Sequence, residues 1–282
     1  MMNNLTSETG IDPDSFKAIA ELAYRESGLI LAVEKTSMIQ SRLRHRLKAL
    51  SLSNFSEYST LVCSDSGFDE RRHMISALTT NVSHFFREKH HFDILEEQLR
   101  STLLPKLKAG GSVRIWSAGC SNGQEAMSIA MTLLEIEPEI EKLNVKVLAT
   151  DIDAQVVSFA ADACYPERLT SGIPTALSHK YFDQKDSGGE RFFCASNSLK
   201  SLISYRELNL LNEWPMRQQM DVIFCRNVVI YFDQKTQNKL WPRFRQLLTR
   251  EGFLFLGHSE RIPEPQDAGF QTYGPTTYKP AA

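Results

Sequence analysis

The strongest indication of the fold is the segment Val113-Arg-Ile-Trp-Ser-Ala-Gly119-Cys-Ser-Asn-Gly123-Gln-Glu125. Its apolar first half predicts a β-strand, its two glycines a loop, and its end the start of a helix. Glycines in such a loop let the backbone approach a ligand closely, and the N–H groups that begin a helix can donate to that ligand. The spacing is Gly-x-x-x-Gly and not the Gly-x-Gly-x-x-Gly of a dinucleotide-binding loop, so a pyrophosphate site is not predicted.

Strands and helices alternate along the chain on the C-terminal side of this loop. The pattern predicts helices over 124–136, 154–163 and 235–249, and strands over 113–117, 145–150, 221–225 and 253–257. Such alternation is typical of βαβ units, so we expect an α/β fold with a doubly wound, mostly parallel sheet. Residues at about 179–206 break the rhythm with a Gly188-Gly189 turn between short apolar runs, which predicts a small antiparallel β insertion.

The N-terminal third of the sequence has only helical periodicity. Asp12-Pro13 is typical of a helix start and Gly28 of its end, and further helices are predicted over 36–50, 55–62, 72–78 and 92–108. We therefore expect an all-helical domain over residues 1–93, followed by an α/β domain over 94–282.

Charge and composition exclude several classes of protein. The 282 residues carry 32 Lys and Arg against 34 Asp and Glu, a net charge of −2, which disfavours a general nucleic-acid-binding protein. The five scattered cysteines form no Cys-x-x-Cys, so neither a disulfide framework nor a thiolate zinc site is predicted. His84 and His91 could share one helix face, but no further ligand completes a site and no metal is expected.

The N-terminus suggests a location in the cell. Met1-Met2-Asn3-Asn4-Leu5 has no basic segment followed by an apolar one, so no signal peptide is predicted. The apolar run at 29–33 is far shorter than the ~18 residues of a membrane span. We therefore expect a cytoplasmic protein that does not insert into membranes.

An acidic residue ends the second predicted strand of the α/β domain, in Thr150-Asp151-Ile152-Asp153. A carboxylate at that position can accept hydrogen bonds from both hydroxyls of an adenosine ribose. Together with the loop of Gly119 and Gly123, it indicates a nucleoside-type ligand such as S-adenosylmethionine (SAM). The alternative is a packing turn followed by an Asp that caps a helix.

Several ordered motifs make the sequence resemble the chemotaxis receptor glutamate methyltransferases, the CheR family, over nearly its whole length. The motifs are Leu78-Thr-Thr-Asn-Val-Ser-His-Phe-Phe-Arg-Glu88, Trp116-Ser-Ala-Gly-Cys-Ser-Asn-Gly-Gln-Glu125, Ala149-Thr-Asp-Ile-Asp153, Asn209-Leu-Leu211, Phe224-Cys-Arg-Asn-Val-Val-Ile-Tyr-Phe-Asp233 and Gly257-His-Ser-Glu260. The resemblance implies transfer of a methyl group from SAM to glutamate side chains of chemoreceptors, with S-adenosylhomocysteine as the other product.

The resemblance also implies the site residues. The residues expected to bind the cofactor are Asn81, Ser83, Arg87, Gly119, Glu125, Asp151, Asn209, Leu210, Arg226 and Asn227. Ser83 stands where threonine is usual, which keeps a hydroxyl, whereas Gln124 stands where an acid is usual, so its role is open. Arg87 is also expected to act in catalysis, the alternative being a surface charge paired with Glu88 or Asp93.

The chemistry of the proposed substrate limits what catalysis requires. A glutamate with a pKa near ~4.3 is ionised at pH 7, so it can attack a sulfonium methyl without a general base. The task is then desolvation and in-line placement. Tyr231 follows the predicted strand 221–225, where ligands bind in open α/β sheets, and its hydroxyl could orient the carboxylate. The alternative for Tyr231 is aromatic packing on the next helix.

Substrate recognition has a candidate in the predicted helix 36–50. No acidic residue occurs between Glu34 and Glu57, and four basic residues flank the apolar stripe of this helix, namely Arg42, Arg44, Arg46 and Lys48. They would complement Glu-rich receptor methylation helices, although a solvated amphipathic helix gives the same pattern. In the resembling family, the β insertion can add a receptor C-terminal peptide as a further strand.

Two other functions are left open by the sequence. One is a non-catalytic scaffold that docks receptors through the basic helix and the β insertion. The other is a methyltransferase acting on a different protein or on nucleic acid. Arg226-Asn227-Val228-Val229 stands where enzymes that methylate base amines commonly have Asn/Asp-Pro-Pro-Tyr, which argues against the nucleic-acid substrate.

Overall fold

A computed structural model describes residues 10–281 of the chain, so Met1–Leu5, on which the signal-peptide prediction depends, lie outside the described residues. Its contacts divide the chain into two units. The first comprises the residues up to Thr80 together with Tyr231–Asp233, and the second comprises Asn81–Ile230 and the residues from Gln234 onward. This division differs from the boundary at 93 expected from sequence, because Phe85 and Phe92 are buried in the core of the second unit.

The first unit contains, from residue 10 onward, four α-helices: α1 Pro13–Ser27, α2 Thr36–Ala49, α3 Phe55–Cys63 and α4 Phe68–Leu78. Helix α1 begins and ends as its sequence predicts, since Asp12 accepts from the Ser15 amide (2.9 Å) and Gly28 ends the helix at a φ of 73°. The apolar stripe of α2 is buried, with Ile39 and Leu43 fully inaccessible. Helix α1 packs on α3, and α2 packs on α4.

The second unit is built on a seven-stranded sheet. Its strands, in chain order, are β1 Val113–Ala118, β2 Val145–Asp151, β6 Ile203–Glu207, β7 Met220–Cys225, β8 Leu248–Leu256, β9 Phe270–Gly274 and β10 Thr277–Pro280. They lie in the order β6-β2-β1-β7-β8-β10-β9, and the first five are parallel. Strand β10 pairs antiparallel with both of its neighbours, β8 and β9. The expected doubly wound, mostly parallel sheet is confirmed.

Helices connect the strands of this sheet. In chain order they are α5 His90–Gln98, α6 Leu104–Lys108, α7 Gln124–Ile136, α8 Ala154–Asp162, α9 Thr175–Tyr181, α10 Asn197–Leu202 and α11 Gln234–Leu247. A π-helical turn, Leu99–Leu103, joins α5 to α6, so helical structure is continuous over the range 92–108 that was predicted as one helix. Strand β7 is buried along its entire length, as a central strand covered on both faces should be. No helix among residues 10–281 is long and apolar enough to cross a membrane.

The β insertion is a separate three-stranded antiparallel sheet, whose strands are β3 Cys164–Pro166, β4 Phe182–Ser187 and β5 Glu190–Ala195 in the order β3-β5-β4. The insertion was predicted over 179–206, but its first strand comes earlier. Residues 203–207 instead pair in parallel with β2 and form the edge of the main sheet.

A disulfide joins two strands of the insertion, although the cysteine spacing predicted no disulfide framework. Cys164 of β3 and Cys194 of β5 are direct partners in the antiparallel register, and their sulfurs are bonded. The two residues are 30 positions apart in sequence, so their pairing depends on a strand register that composition and spacing do not reveal. Cys63, Cys120 and Cys225 are free thiols.

Candidate active site

Four neighbouring strands bring the predicted cofactor residues to one edge of the main sheet. Strands β6, β2, β1 and β7 are adjacent and parallel, so their carboxyl ends meet there. Each is followed by part of the predicted set: Asn209 and Leu210 after β6, Asp151 at the end of β2, Gly119 after β1, and Arg226 and Asn227 after β7. Ligands of open α/β sheets bind at this kind of edge.

The glycine loop after β1 is held close to the end of β2. The amides of Gly119 and Cys120 both donate to the Thr150 carbonyl at 2.8 Å. Gly119 has a φ of +84°, and a Cβ there would overlap Val228 Cγ2. Gly123 also has a φ of +84°, and a Cβ at that position would lie 2.8 Å from Ala160 Cβ. Glycine is therefore required at both positions, because the backbone is left-handed there and a side chain would collide with its neighbours.

Asp151 ties the end of β2 to the glycine loop. Its Oδ2 accepts from the Ser121 amide at 2.8 Å and its Oδ1 from the Asp153 amide at 3.1 Å. Burial raises the pKa of Asp151, and the hydrogen bonds from Asp153 and Ser121 partly offset this increase. A buried carboxylate already oriented by two backbone donors is suited to accept from sugar hydroxyls.

A buried ion-pair network lies beside the loop and has Arg226 at its centre. Arg226 Nη1 is 3.1 Å from Glu125 Oε2, and its Nη2 is 3.2 Å from Glu88 Oε2. Ser117 Oγ donates to the other oxygen of Glu125 at 2.7 Å. Burial raises the pKa of Glu125. For Glu88 the burial effect is outweighed by Arg226 and by hydrogen bonds from His258, so its pKa is lowered.

Arg87 lies in an unusual backbone segment that this network holds. Its neighbours Phe86 and Glu88 have φ values of +50° and +55°, in the left-handed region that non-glycine residues seldom adopt. The Phe86 amide donates to Ser128 Oγ at 3.0 Å, and Arg226 Nη2 donates to the Arg87 carbonyl. The Arg87 side chain is 27% exposed, and its Nη1 donates to the Val82 carbonyl at 3.1 Å.

Of the two ion pairs in the surface-charge alternative for Arg87, the structure contains the one with Glu88 and not the one with Asp93. Its Nε lies 4.0 Å from Glu88 Oε1, at the limit of an ion pair, and Glu88 also bonds Arg226. Asp93, the other suggested partner, pairs with Lys89.

Asn81 and Ser83 reach the same edge from the start of the second unit. Asn81 Nδ2 donates to Asp153 Oδ2 at 3.1 Å, and Asn122 Nδ2 lies 3.4 Å from the Asn81 carbonyl. Gln124 is fully buried, with Nε2 3.5 Å from the Ser83 carbonyl. The residue whose role the sequence left open thus packs against this segment.

Asn209 shapes its own turn after β6. Its side-chain oxygen accepts from the Leu211 amide at 2.9 Å. The neighbouring Leu210 is buried, and its carbonyl accepts from Trp214 Nε1 and Arg243 Nη1. The turn is therefore fixed next to Asp151, because β6 pairs with β2 up to Asp151 and Glu207.

Three residues have structural roles here that the sequence motifs contain but do not explain. Glu88 accepts from Arg226 and from His258, Asp153 accepts from Asn81, and Glu260 accepts from the loop after β7. Each is an acid inside a motif quoted for the family resemblance, and that is the signal that could have singled them out.

The basic residues of α2 divide into two kinds. Arg46 forms a two-point ion pair with Glu70, at 2.9 and 2.6 Å, and Tyr58 donates to the same carboxylate at 2.9 Å. Arg42 donates to the Leu78 and Thr79 carbonyls at 2.7 and 2.9 Å. Both guanidinium groups thus stabilise the helical unit. Arg44 and Lys48 are exposed.

Tyr231 belongs to the first unit although it follows β7 in sequence. Its carbonyl accepts from the Ile30 amide at 3.3 Å, and Asp233, two residues on, accepts from Tyr24 at 2.7 Å. The Tyr231 side chain is partly exposed. The catalytic role of this residue stays a prediction.

The two histidines considered for a metal do not share a helix, since α5 begins at His90 and His84 precedes it. His91 is fully buried, with Nε2 2.9 Å from Thr276 Oγ1 and Nδ1 3.5 Å from Glu88. Burial, and next the charge of Arg226, lower its pKa to about 3, so the ring is neutral. Among residues 10–281 no group of three acidic, His or Cys side chains could hold a metal ion.

A strand–glycine loop–helix with a carboxylate at the end of the next strand fits an adenosine-containing cofactor, because Asp151 is buried beside the loop and two backbone amides already orient its carboxylate. The fold and this edge together are those of a SAM-dependent methyltransferase.

Comparison with known proteins names the family. Residues 81–278 match the family described as "CheR methyltransferase, SAM binding domain", and residues 14–79 match "CheR methyltransferase, all-alpha domain". The chain belongs to the CheR methyltransferase family, and its cofactor is SAM.

Curated relatives agree over almost the full length. The chain is 43% identical to a "Probable chemotaxis protein methyltransferase" of Rhizobium etli, an alignment that covers 92% of this chain and 96% of the relative. It is 35% identical to the "Chemotaxis protein methyltransferase" of Borreliella burgdorferi, covering 98% of each. It is 34% identical to the protein of the same name from Escherichia coli, covering 99% of this chain and 94% of the relative.

Proposed function

We propose that this enzyme transfers the methyl group of SAM to glutamate side chains of chemoreceptors, forming glutamyl methyl esters during bacterial chemotaxis. The observation that carries the proposal is the match of both units to the two domains of one chemotaxis methyltransferase family. The relatives are named as chemotaxis protein methyltransferases, which supports a chemoreceptor as the substrate.

The site residues suit a nucleophile that arrives already ionised. When bound, SAM supplies an electrophilic methyl on a sulfonium centre, and the glutamate oxygen takes this methyl as the carbon–sulfur bond breaks. No residue of the chain has to accept a proton in that exchange. His91, the buried histidine nearest the network, is neutral and engaged with Thr276, so it is not arranged as a general base.

The residues therefore bind and orient. Asp151 is proposed to hold the ribose hydroxyls, and Gly119 and Gly123 to allow close approach of the cofactor. Arg87, held between two left-handed residues and partly exposed, is proposed to contact the carboxylates of cofactor and substrate. Tyr231 is proposed to orient the substrate carboxylate through its hydroxyl.

Arg226 and Glu125 are proposed to support the cofactor site as a buried ion pair. Because Arg226 is 2% exposed and pairs with two carboxylates, it fixes the loop around the cofactor and neutralises acids that would otherwise repel a glutamate substrate.

Receptor recognition is proposed at two surfaces. Arg44 and Lys48 are the exposed basic residues of α2 and would face Glu-rich methylation helices. Within the described residues, strand β4 lies at one edge of the insertion sheet, and its residues Asp183–Ser187 are exposed. A receptor C-terminal peptide could pair with its outer edge as an additional strand.

The test is transfer of radiolabelled methyl from SAM to chemoreceptor membranes, followed by mild alkali. Methyl esters hydrolyse under these conditions, so the label is expected to appear as methanol. Alkali-stable label would contradict ester formation and favour another protein substrate. Calorimetry with S-adenosylhomocysteine separates the enzyme from a scaffold, since a scaffold without a cofactor site would give no binding.

A further inference from the structure

The carboxylate of Glu260 is buried, and its hydrogen bonds come from backbone amides and not from a charged side chain. The residue is 2% exposed and lies just after β8, at the same edge of the sheet as the cofactor residues. It closes the motif Gly257-His258-Ser259-Glu260, one of those that carry the family resemblance. Its own amide donates to the Gly257 carbonyl at 2.9 Å, which turns the side chain back toward β7.

Four backbone amides donate to this one carboxylate. Oε2 accepts from Gly257 at 2.6 Å and from Asn227 at 2.8 Å. Oε1 accepts from Val228 at 2.8 Å and from Ile230 at 3.1 Å. Three of the donors belong to the loop after β7, so Glu260 holds that loop in place of a partner strand. An ionised carboxylate accepts from all four donors and carries no hydrogen of its own. Burial raises the pKa of Glu260, and the hydrogen bonds from the four amides partly offset this increase.

The loop that Glu260 holds forms one wall of the cofactor edge. Val228 is the residue that a Cβ on Gly119 would overlap, so the position of Val228 defines the space at the first glycine of the cofactor loop. Asn227, expected to bind the cofactor, is kept at a φ of +59°. A Cβ on Gly257 would lie 2.7 Å from the Asn227 amide nitrogen, so the loop is packed tightly between Gly119 and Gly257.

We infer that Glu260 is the positioning residue of the cofactor site: it sets the loop 227–230 against Gly119 and thereby fixes the pocket for SAM without touching the ligand. This inference rests on the cofactor binding described above. A left-handed Asn and a valine at van der Waals contact with a glycine loop keep their places only if the surrounding structure determines them, and the four hydrogen bonds to Glu260 do so.

The test compares substitutions at two buried carboxylates of the main sheet, Glu260 after β8 and Asp221 in β7. Glu260→Gln keeps the size of the side chain but places an NH₂ against backbone donors. Asp221→Asn is the matched control, because Asp221 is also buried and accepts from the Arg114 amide at 2.8 Å and from Lys106, but it lies in β7 at the opposite end from Asn227. The affinity for S-adenosylhomocysteine is measured by calorimetry on the full chain, with KM and kcat for methyl transfer.

We expect Glu260→Gln to weaken binding by about tenfold or more and to raise KM for SAM, since buried amides lose a charged acceptor. Glu260→Asp should recover part of the affinity. Asp221→Asn should lower the melting temperature but leave affinity unchanged. Wild-type affinity in folded Glu260→Gln, or an equal loss in Asp221→Asn, would overturn the inference.

Two further measurements keep the outcome decisive. If neither Glu260 variant folds, Val228→Ala tests the same wall without altering the carboxylate: weaker binding supports the inference and unchanged binding contradicts it. If the wild-type chain itself bound no S-adenosylhomocysteine, the cofactor assignment would fail instead, so the two failures are distinguishable.

Discussion

Arg226 Nη1 and Glu125 Oε2 lie 3.1 Å apart, and the arginine side chain is 2% exposed. The family resemblance places both residues at the cofactor, yet in the structure each satisfies the other. With Glu88 on its other side, Arg226 is a cation between two acids, so it has a structural role in addition to the cofactor contact predicted for it.

Replacement of Arg226 should therefore affect the fold as well as binding. Arg226→Met leaves Glu88 and Glu125 without a counter-charge inside the protein, and the free energy of unfolding is expected to fall by about 3–5 kcal/mol. Urea denaturation measures the change. Arg191→Met is the matched control, because Arg191 pairs with Glu167 at the surface and should contribute less than about 1 kcal/mol. Equal effects of the two substitutions would contradict the role of the buried network.

Asp151 should matter for the ligand far more than for the fold. Asp151→Asn replaces a carboxylate acceptor with an amide, and the loss of charged hydrogen bonds is expected to weaken S-adenosylhomocysteine about 10- to 100-fold. Calorimetry gives the dissociation constant. Asp162→Asn, at an exposed position at the end of α8, should bind as tightly as wild type. An unchanged affinity in Asp151→Asn would refute its proposed contact with the ribose.

His91 should make stability depend on pH. Its pKa in the folded protein is about 3, against 6.5 for an ordinary histidine, so between these values the unfolded chain binds a proton that the folded chain does not. The contribution of His91 to stability is therefore fully present above pH ~6.5 and falls on acidification by up to about 1.4 kcal/mol per pH unit. The buried acids Glu125, Asp151 and Glu260 have raised pKa values, so their effect on stability has the opposite sign. Urea titrations at pH 7.5, 6.5 and 5.5 measure the slope.

His91→Gln is expected to reduce that slope, whereas His179→Gln, at an exposed position on α9, should not. Glu88, whose pKa is lowered, loses its stabilising contribution only as the pH falls through a value below its ordinary 4.5, outside this range. A wild-type slope in His91→Gln would show that another group is responsible.

Substitutions of the basic residues of α2 should have two different effects: some should lower the stability of the protein, and others should weaken its use of the receptor substrate. Arg44→Ala combined with Lys48→Ala is expected to change the unfolding free energy by less than about 0.5 kcal/mol but to raise KM for receptor membranes. Arg46→Ala leaves the buried carboxylate of Glu70 without its cation and should lower stability by about 2 kcal/mol. Cofactor affinity should remain unchanged in the Arg44/Lys48 variant. An unaltered KM in that variant would remove α2 from the proposed receptor surface.

The sequence predicts the parallel strands and the glycine loop well because each has a strong local signal. An apolar run such as Val222–Phe224 and a loop of two glycines before a helix have few alternative conformations. The carboxyl-end position of Asp151 follows directly, since adjacent parallel strands end at the same edge.

Other features depend on partners distant in sequence. Arg46 looks like a solvated charge until α4 brings Glu70 beside it, and Cys164 looks unpaired until β5 brings Cys194 into register. Residues 203–207 have the same short alternating pattern as an insertion strand, and only pairing with β2 distinguishes the two. These are tertiary facts, which local propensity does not contain.

The tripeptide Tyr231–Asp233 makes the helical unit discontinuous in sequence. A graft that exchanged only the residues up to Thr80 between two members of this family would leave behind Tyr231 and Asp233. These two residues accept hydrogen bonds from Ile30 and Tyr24, respectively. The graft would also separate Tyr231 from the helices it belongs to. If those helices recognise the receptor, then Tyr231, the residue proposed to orient the glutamate, belongs to the same recognition unit. Recombination that changes receptor specificity therefore has to move the helices and residues 231–233 together.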